Sequence, residues 1–225
     1  MTAPVQNRLD GTEYPSRLLA RRELAPGTVE IDLSRPKGFS FLAGQRIRLC
    51  HGDLQRDYSL ASGPDTPVLT LCVRLVRKGV FSMLLGSAEP GTAFTLFGPN
   101  GYFVFHGSAN PAVWVATGSG IAPFVSMCRS GIGGATILHG VRTIRERYYA
   151  DLLRENAARY VACLSGSETG EGDVFPGRVT GFLRQRLPAG PYDFYLCGRR
   201  EMIAETIGII DERFEGSRIY TEIFY

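Results

Sequence analysis

Two short stretches of this sequence bring together side chains able to handle phosphates and flat aromatic groups. In Arg56-Asp57-Tyr58-Ser59 a guanidinium, an aromatic ring and a hydroxyl share one predicted strand, with Arg56 and Tyr58 on the face opposite Asp57 and Ser59. A planar guanidinium suits a phosphate, and an aromatic face suits a planar ring. The plain alternative is a surface strand with a solvated arginine. The second stretch, Ala112 to Pro123, runs from five apolar residues into Thr117-Gly118-Ser119-Gly120 and then a helical pattern. An unbroken apolar run marks a strand buried on both faces. Gly118 and Gly120 permit a sharp turn and close approach of a ligand, and Pro123 suits a first helical turn. Strand, glycine turn and helix leave outward N–H groups for a phosphate or dinucleotide, although Gly-x-Gly also occurs in ordinary strand-to-helix turns.

Lys78-Gly79-Val80-Phe81-Ser82 follows the strand-like Leu71-Cys72-Val73-Arg74. Its N–H groups and the Ser82 hydroxyl either cap a short helix or hold a pyrophosphate.

The elements that must position these residues fall into two rhythms. Between residues 14 and 106 the predicted strands are Tyr14–Glu23, Thr28–Leu33, Gln45–Cys50, Asp57–Ala61, Val68–Val76, Ala93–Phe97 and Tyr102–Phe105, with a brief helix over Val80–Leu85. Turn clusters such as Ala25-Pro26-Gly27 separate them, and short strands so spaced predict a small antiparallel barrel. From Pro111, apolar strands at 112–117, 135–139, 160–164, 193–197 and 218–224 alternate with helical patterns near 121–129, 143–155, 178–187 and 199–213. That alternation predicts a doubly wound α/β unit with a parallel sheet. The division expected is 11–107 for the β-barrel and 108–225 for the α/β domain.

Composition narrows the classes. A charged fraction of 21% beside 44% hydrophobic residues excludes disorder, and no apolar run reaches membrane-spanning length. The N-terminal residues lack the apolar core of a signal peptide, so a cytoplasmic location is expected. The formal net charge of +3, with mixed signs, is too mild for a nucleic-acid binder, though it suits an acidic protein partner. Cys50, Cys72, Cys128, Cys163 and Cys197 are scattered, and with three isolated histidines they predict no metal site. Any redox chemistry would use an organic cofactor.

Taken in order, Arg56-Asp57-Tyr58-Ser59, Gly79-Val80-Phe81-Ser82, Gly98-Pro99-Asn100-Gly101, Thr117-Gly118-Ser119-Gly120-Ile121-Ala122-Pro123, Leu196-Cys197-Gly198 and the aromatic end Glu222-Ile223-Phe224-Tyr225 resemble the ferredoxin–NADP reductase superfamily. The resemblance covers nearly the whole chain. It implies an FAD-binding barrel and an NAD(P)-binding α/β domain that exchange a hydride, with single electrons passing to or from a separate carrier. Ferredoxin or flavodoxin is the expected carrier. An NADH-dependent reductase component of an oxygenase, or an electron-transfer subunit of a larger complex, is the alternative.

Residue by residue, the resemblance implies that Arg56 neutralises the flavin pyrophosphate and Tyr58 contacts the ring or ribityl chain. Ser59 would hydrogen-bond near the flavin N5, with Asp57 beside it. Cys72, Val73, Arg74 and Gly79 to Ser82 would hold the ribityl, phosphate and adenine parts, with Thr117 also at the flavin. Gly118, Ser119, Gly120, Ile121 and Pro123 would cradle the nicotinamide dinucleotide, with Gly198 and Met202 lining its path. Cys197 would meet the nicotinamide, or is simply a buried core thiol. Glu222 resembles the carboxylate near the reacting carbon, or is a surface acid. The register makes Phe224 the stacking ring, with Tyr225 one residue beyond. In His139-Gly140-Val141-Arg142 and Pro176-Gly177-Arg178, the two arginines match ligands of a 2′-phosphate. The cation that many relatives place within Ser165-Gly166-Ser167-Glu168 is missing, and Arg145 or Arg199 either compensates or is solvated. NADP(H) is favoured over NAD(H).

Overall fold

The computed structural model describes residues 12–166 and 172–224. The expectations placed on Ser167, Glu168 and Tyr225 lie outside the described residues.

The first half is antiparallel. Strands β1 (Glu13–Ala25), β2 (Thr28–Ser34), β3 (Arg46–His51), β4 (Leu54–Ser59), β5 (Val68–Arg74) and β6 (Ala93–Asn100) form a six-stranded sheet in the order β4-β3-β6-β1-β2-β5. Its two ends meet where Leu60 bridges Leu71 and the Ala61 N–H donates to Thr70 O at 2.8 Å, curling the sheet into a barrel. Alternation along the strands turns Leu18, Ile31, Ile47, Leu49 and Leu71 inward, where they are fully buried. A short helix, α1 (Val80–Ser87), closes one mouth with Phe81 and Leu85.

The second half is parallel. Strands β7 (Ala112–Thr117), β8 (Thr136–Val141), β9 (Arg159–Leu164), β10 (Val174–Pro176), β11 (Asp193–Arg199) and β12 (Arg218–Phe224) stand in the order β10-β9-β8-β7-β11-β12. Successive β7 residues face opposite sides. Trp114 and Ala116 pack on the side of α2 (Ala122–Arg129) and α3 (Ala150–Asn156). Val113 and Val115 pack toward α4 (Val179–Gln185) and α5 (Arg200–Arg213). Helices therefore cover both faces, as the unbroken apolar run required. Among the described residues, no helix is long and apolar enough to cross a membrane.

Two expectations are corrected, and one strand was not foreseen. Tyr102–Phe105 is no strand: Tyr102 is 96% exposed, while Phe103 turns inward onto Phe124 and Tyr195 as the chain crosses between sheets. The helical pattern at 143–155 is broken, because Tyr149 adopts φ +63° and only Ala150–Asn156 is α-helical. The three-residue strand β10 was not expected; it is too short to show periodicity.

The two halves share one continuous core, in which Ala43, Ala61 and Cys72 of the barrel meet Phe124, Val125 and Met127 of α2. Polar contacts reinforce it. Glu30 on β2 is buried, accepts from Tyr149 Oη at 2.7 Å and from Arg22 Nη2 at 2.6 Å, and lies 3.7 Å from Arg129. Ser126 Oγ donates to Ser62 O at 2.6 Å.

Candidate active site between the two sheets

From β7 the chain adds β8, β9 and β10 on one side, then returns to place β11 and β12 on the other. The gap at the carboxyl ends of β7 and β11 is thus the switch point of the sheet, where ligands bind in such folds. Here the Thr117–Gly120 turn and the Cys197–Gly198 corner are knit together. The Arg199 N–H donates to Thr117 Oγ1 at 3.2 Å. A Cβ on Gly120 would stand 2.5 Å from Cys197 O, and one on Gly198, at φ +137°, would collide with Thr117 Oγ1. Both glycines are demanded by close backbone approach.

His139 supports the turn from below. It is fully buried, with Nε2 3.2 Å from Gly118 O and Nδ1 3.3 Å from Tyr160 Oη. The carbonyl can only accept, so Nε2 carries the proton and Nδ1 accepts from Tyr160. Burial pulls its pKa down to about 4, keeping the ring neutral.

A cavity of about 690 Å³ opens above this corner. Thr117, Gly118 and Ser119 form one wall, and Gly198, Met202 and Phe224 another. Arg142 and Arg178, from separate strand ends, reach the same space, as does Arg74 from the barrel. Gly120, Ile121 and Pro123 lie buried beneath the turn and shape it rather than line the cavity. Cys197 is likewise buried, and desolvation, with Glu222 alongside, raises its thiol well above the usual range. It stays a neutral, soft group under the corner. Among the cations named for compensation, Arg199 lines the cavity and Arg145 does not.

The barrel presents its own set. Arg56 is exposed and its Nη1 donates to Gln55 O at 3.1 Å, and among the described residues no carboxylate is paired to it. Tyr58 is half-buried against Phe81, at 6.1 Å between ring centroids, and burial raises its hydroxyl pKa. Asp57 is held by Arg48 at 2.6 Å. Ser59 is the informative member: its Oγ is buried and has no hydrogen-bond partner among the described residues. Thr28, Ser62 and Tyr148 also carry buried hydroxyls without partners; Ser59 is set apart by standing next to Tyr58 on β4, where a flavin edge is a partner of the right chemistry. The residues present therefore fit the flavin. Ser82 Oγ is engaged within its turn, accepting from the Val76 N–H at 3.1 Å and donating to Gly79 O at 3.0 Å. The N–H groups of Val80, Phe81 and Ser82 remain free of intrahelical partners at the start of α1. Cys72 and Val73 are buried in the cores.

Glu222 on β12 is cross-strand from Cys197 and buried, and its Oε1 accepts from Arg46 Nη1 at 2.6 Å. Arg46 in turn pairs across the barrel sheet with Ser59. Ser59, Arg46, Glu222 and Cys197 thus form one chain of neighbours between the sheets. Sequence reasoning missed Arg46, because nothing in Gly44-Gln45-Arg46 sets it apart from a surface arginine. It also missed Ser165, Thr180 and Glu201 of the cavity wall, which are scattered along the chain.

An aromatic-and-hydroxyl face on a β-barrel, set against a crevice on a parallel sheet, defines a flavin- and nicotinamide-dependent oxidoreductase. Comparison with known proteins agrees. The oxidoreductase NAD-binding domain model matches residues 114–207. The chain is 35% identical over 193 residues to ferredoxin–NADP reductase B of Sorangium cellulosum, covering 78% of this chain and 77% of that one. It is 30% identical to the xylene/toluene monooxygenase electron transfer component of Pseudomonas putida, covering 92% of this chain but only 66% of that longer protein. Among solved structures, a ferredoxin NADP+ reductase from Neisseria gonorrhoeae with bound FAD and NADP superposes with a TM-score of 0.82 at 22% identity, covering 96% of this chain and all of that one. An Amycolatopsis cytochrome P450 reductase gives 0.83 at 26% identity, covering 95% of this chain and 70% of that one. The chain belongs to the ferredoxin–NADP reductase superfamily and is an FAD-dependent NAD(P)H oxidoreductase.

Proposed function

We propose that the protein is a ferredoxin- or flavodoxin-type NADPH reductase working in the cytoplasm, with barrel residues holding FAD and the crevice holding the dinucleotide. The single observation that carries the choice of nucleotide is the convergence of Arg142 and Arg178 on the cavity that begins at the Thr117–Ser119 turn. Two guanidiniums from different strand ends make a site for a dianion, and a 2′-phosphate is the dianion an NADP(H) would bring.

Bound FAD would supply the hydride- and single-electron-transfer chemistry. The chain's own residues bind and orient. Arg56 neutralises pyrophosphate charge, helped by the open N–H groups of Val80 to Ser82. The Ser59 hydroxyl donates to the flavin edge that gains electron density. Thr117 to Ser119 and the Gly198 corner fix the nicotinamide's approach, where closeness and alignment carry most of the rate. Phe224 excludes water from the contact face and must swing aside for the nicotinamide to stack. Cys197 and the buried His139 keep that corner rigid and uncharged.

A second reading rests on Glu201 and Glu205 of α5, which line the same cavity. A carboxylate favours a ribose 2′-hydroxyl over a phosphate, as an NADH-dependent oxygenase reductase component requires. The free thiols suit a reducing compartment.

The test is anaerobic stopped-flow reduction of the flavin-loaded protein with NADPH and NADH in parallel, in wild type and in the Arg142→Ala/Arg178→Ala double variant. The reading expects faster reduction by NADPH and a KM for NADPH raised roughly 100-fold in the variant, as for two lost charge-assisted contacts, with NADH little changed. Preference for NADH in the wild type would establish the second reading instead.

A further inference from the structure

Arg46 belongs to none of the motifs above, yet the barrel and the α/β unit meet at its guanidinium. Nη1 donates to Glu222 Oε1 at 2.6 Å, joining β3 to β12. Nε lies 3.7 Å from Asp57 Oδ2 in the Arg56–Ser59 stretch, and Asp57 is itself fixed by Arg48. On the strand beside it stands Ser59, with its unpartnered hydroxyl. The side chain lies over the Gly98–Gly101 turn, a motif with no role so far. A Cβ on Gly101, at φ +93°, would stand 3.8 Å from both Cγ and Nη1 of Arg46, so a longer side chain there would compete for its bed.

What Arg46 holds is β12, one of the two edge strands of the second sheet. Among the described residues β12 is hydrogen-bonded only to β11, and it brings Phe224 to the cavity and Glu222 to the groove beside Arg46. Among the described residues, Arg46–Glu222 is the ion pair that ties it to the barrel. The Glu222 side chain keeps 9% of its exposure, against 36% for Arg46. A carboxylate so withdrawn from water needs its partner, and losing that partner frees the strand end to seek solvent.

We propose that Arg46, seated on the Gly98–Gly101 turn, is a positioning residue that latches the C-terminal edge strand onto the flavin barrel and so fixes Glu222, and the strand from which the Phe224 ring swings, at the reacting face. The proposal rests on the reading that hydride exchange occurs at this face.

The test uses the flavin-loaded protein and the variants Arg46→Gln, Arg46→Lys, Glu222→Gln and Arg46→Gln/Glu222→Gln. Two quantities are read: amide hydrogen exchange at residues 221–224, and the single-turnover rate of flavin reduction. Arg46→Gln and Glu222→Gln should each speed exchange at 221–224 by about tenfold, and the double variant no further, as for two residues sharing one interaction. Arg46→Lys, which keeps the charge, should stay within about threefold of wild type. The reduction rate should fall in the same order while the KM for the nucleotide holds, a split that general destabilisation would not produce. Unchanged exchange at 221–224 in Arg46→Gln, or additive effects in the double variant, overturns the latch. Should Arg46→Gln fail to fold, Glu222→Gln decides alone, wild-type exchange in it being the overturning result. A wild-type protein that neither nucleotide reduces would sink the functional reading, while the exchange pattern still decides the latch.

Discussion

Replacing His139 with glutamine should make stability less dependent on acid. In the native protein the imidazole is buried against Gly118 O and Tyr160 Oη, and its pKa falls to about 4 because the charged form would lose its hydration. In the unfolded chain the same ring titrates near 6.5. Between those values the unfolded state binds a proton that the native state refuses. Stability therefore rises with pH across this window and is lost as pH drops below about 6.5, levelling off near the native pKa. Integrating the two titrations, His139 costs essentially nothing at pH 8 but about 2 kcal/mol at pH 5, approaching roughly 3 kcal/mol at pH 4. Glutamine does not titrate, and its Nε2 can still donate to Gly118 O. At pH 8 the variant should be weaker by about 1 kcal/mol, from lost ring packing on Tyr148. By pH 5 that deficit should vanish or reverse. Urea unfolding at a series of pH values, followed through the fluorescence of the single, fully buried Trp114, measures the gap directly. A gap that stays constant from pH 8 to pH 5 would refute the assignment of a neutral buried imidazole.

Three further outcomes are expected. Ser59→Ala removes a buried hydroxyl that no protein group satisfies, so the melting temperature of the flavin-free protein should hold or rise slightly, while FAD affinity, measured by fluorescence titration, falls about tenfold. Equal losses in the free and bound forms would contradict that role. Gly198→Ala forces a Cβ into Thr117 Oγ1 at a backbone angle that L-residues avoid, and should destabilise by at least roughly 2 kcal/mol in chemical denaturation. Tyr149→Phe deletes the hydroxyl that donates to buried Glu30 across the two halves, and should cost about 1–2 kcal/mol by the same assay. A neutral Tyr149→Phe would mean that Arg22 and Arg129 alone satisfy Glu30.

Much of the molecule is legible in the sequence. Local chemistry sets the strand alternation of the barrel, the apolar runs of β7 and β11, and the glycine turns, because periodicity and backbone freedom are properties of neighbouring residues. The motifs at Arg56–Ser59 and Thr117–Pro123 could be read for the same reason: each packs its chemistry into a few consecutive positions. Reading failed where a distant partner decides. Tyr102–Phe105 looks like a strand but has none to pair with, and the 143–155 helix breaks at Tyr149, whose hydroxyl goes to Glu30, 119 residues earlier. Cys197 and Gly120 sit in the dinucleotide motifs, yet the fold buries both beneath the surface they shape. Arg46 was silent altogether, since its meaning depends on Glu222, 176 residues away. Sequence alone determined most of the strands and helices and which residue types could bind a flavin and a dinucleotide. Only the tertiary structure decided which side chains meet, because burial, unpartnered hydroxyls and ion pairs are set by groups that the chain brings together from opposite ends.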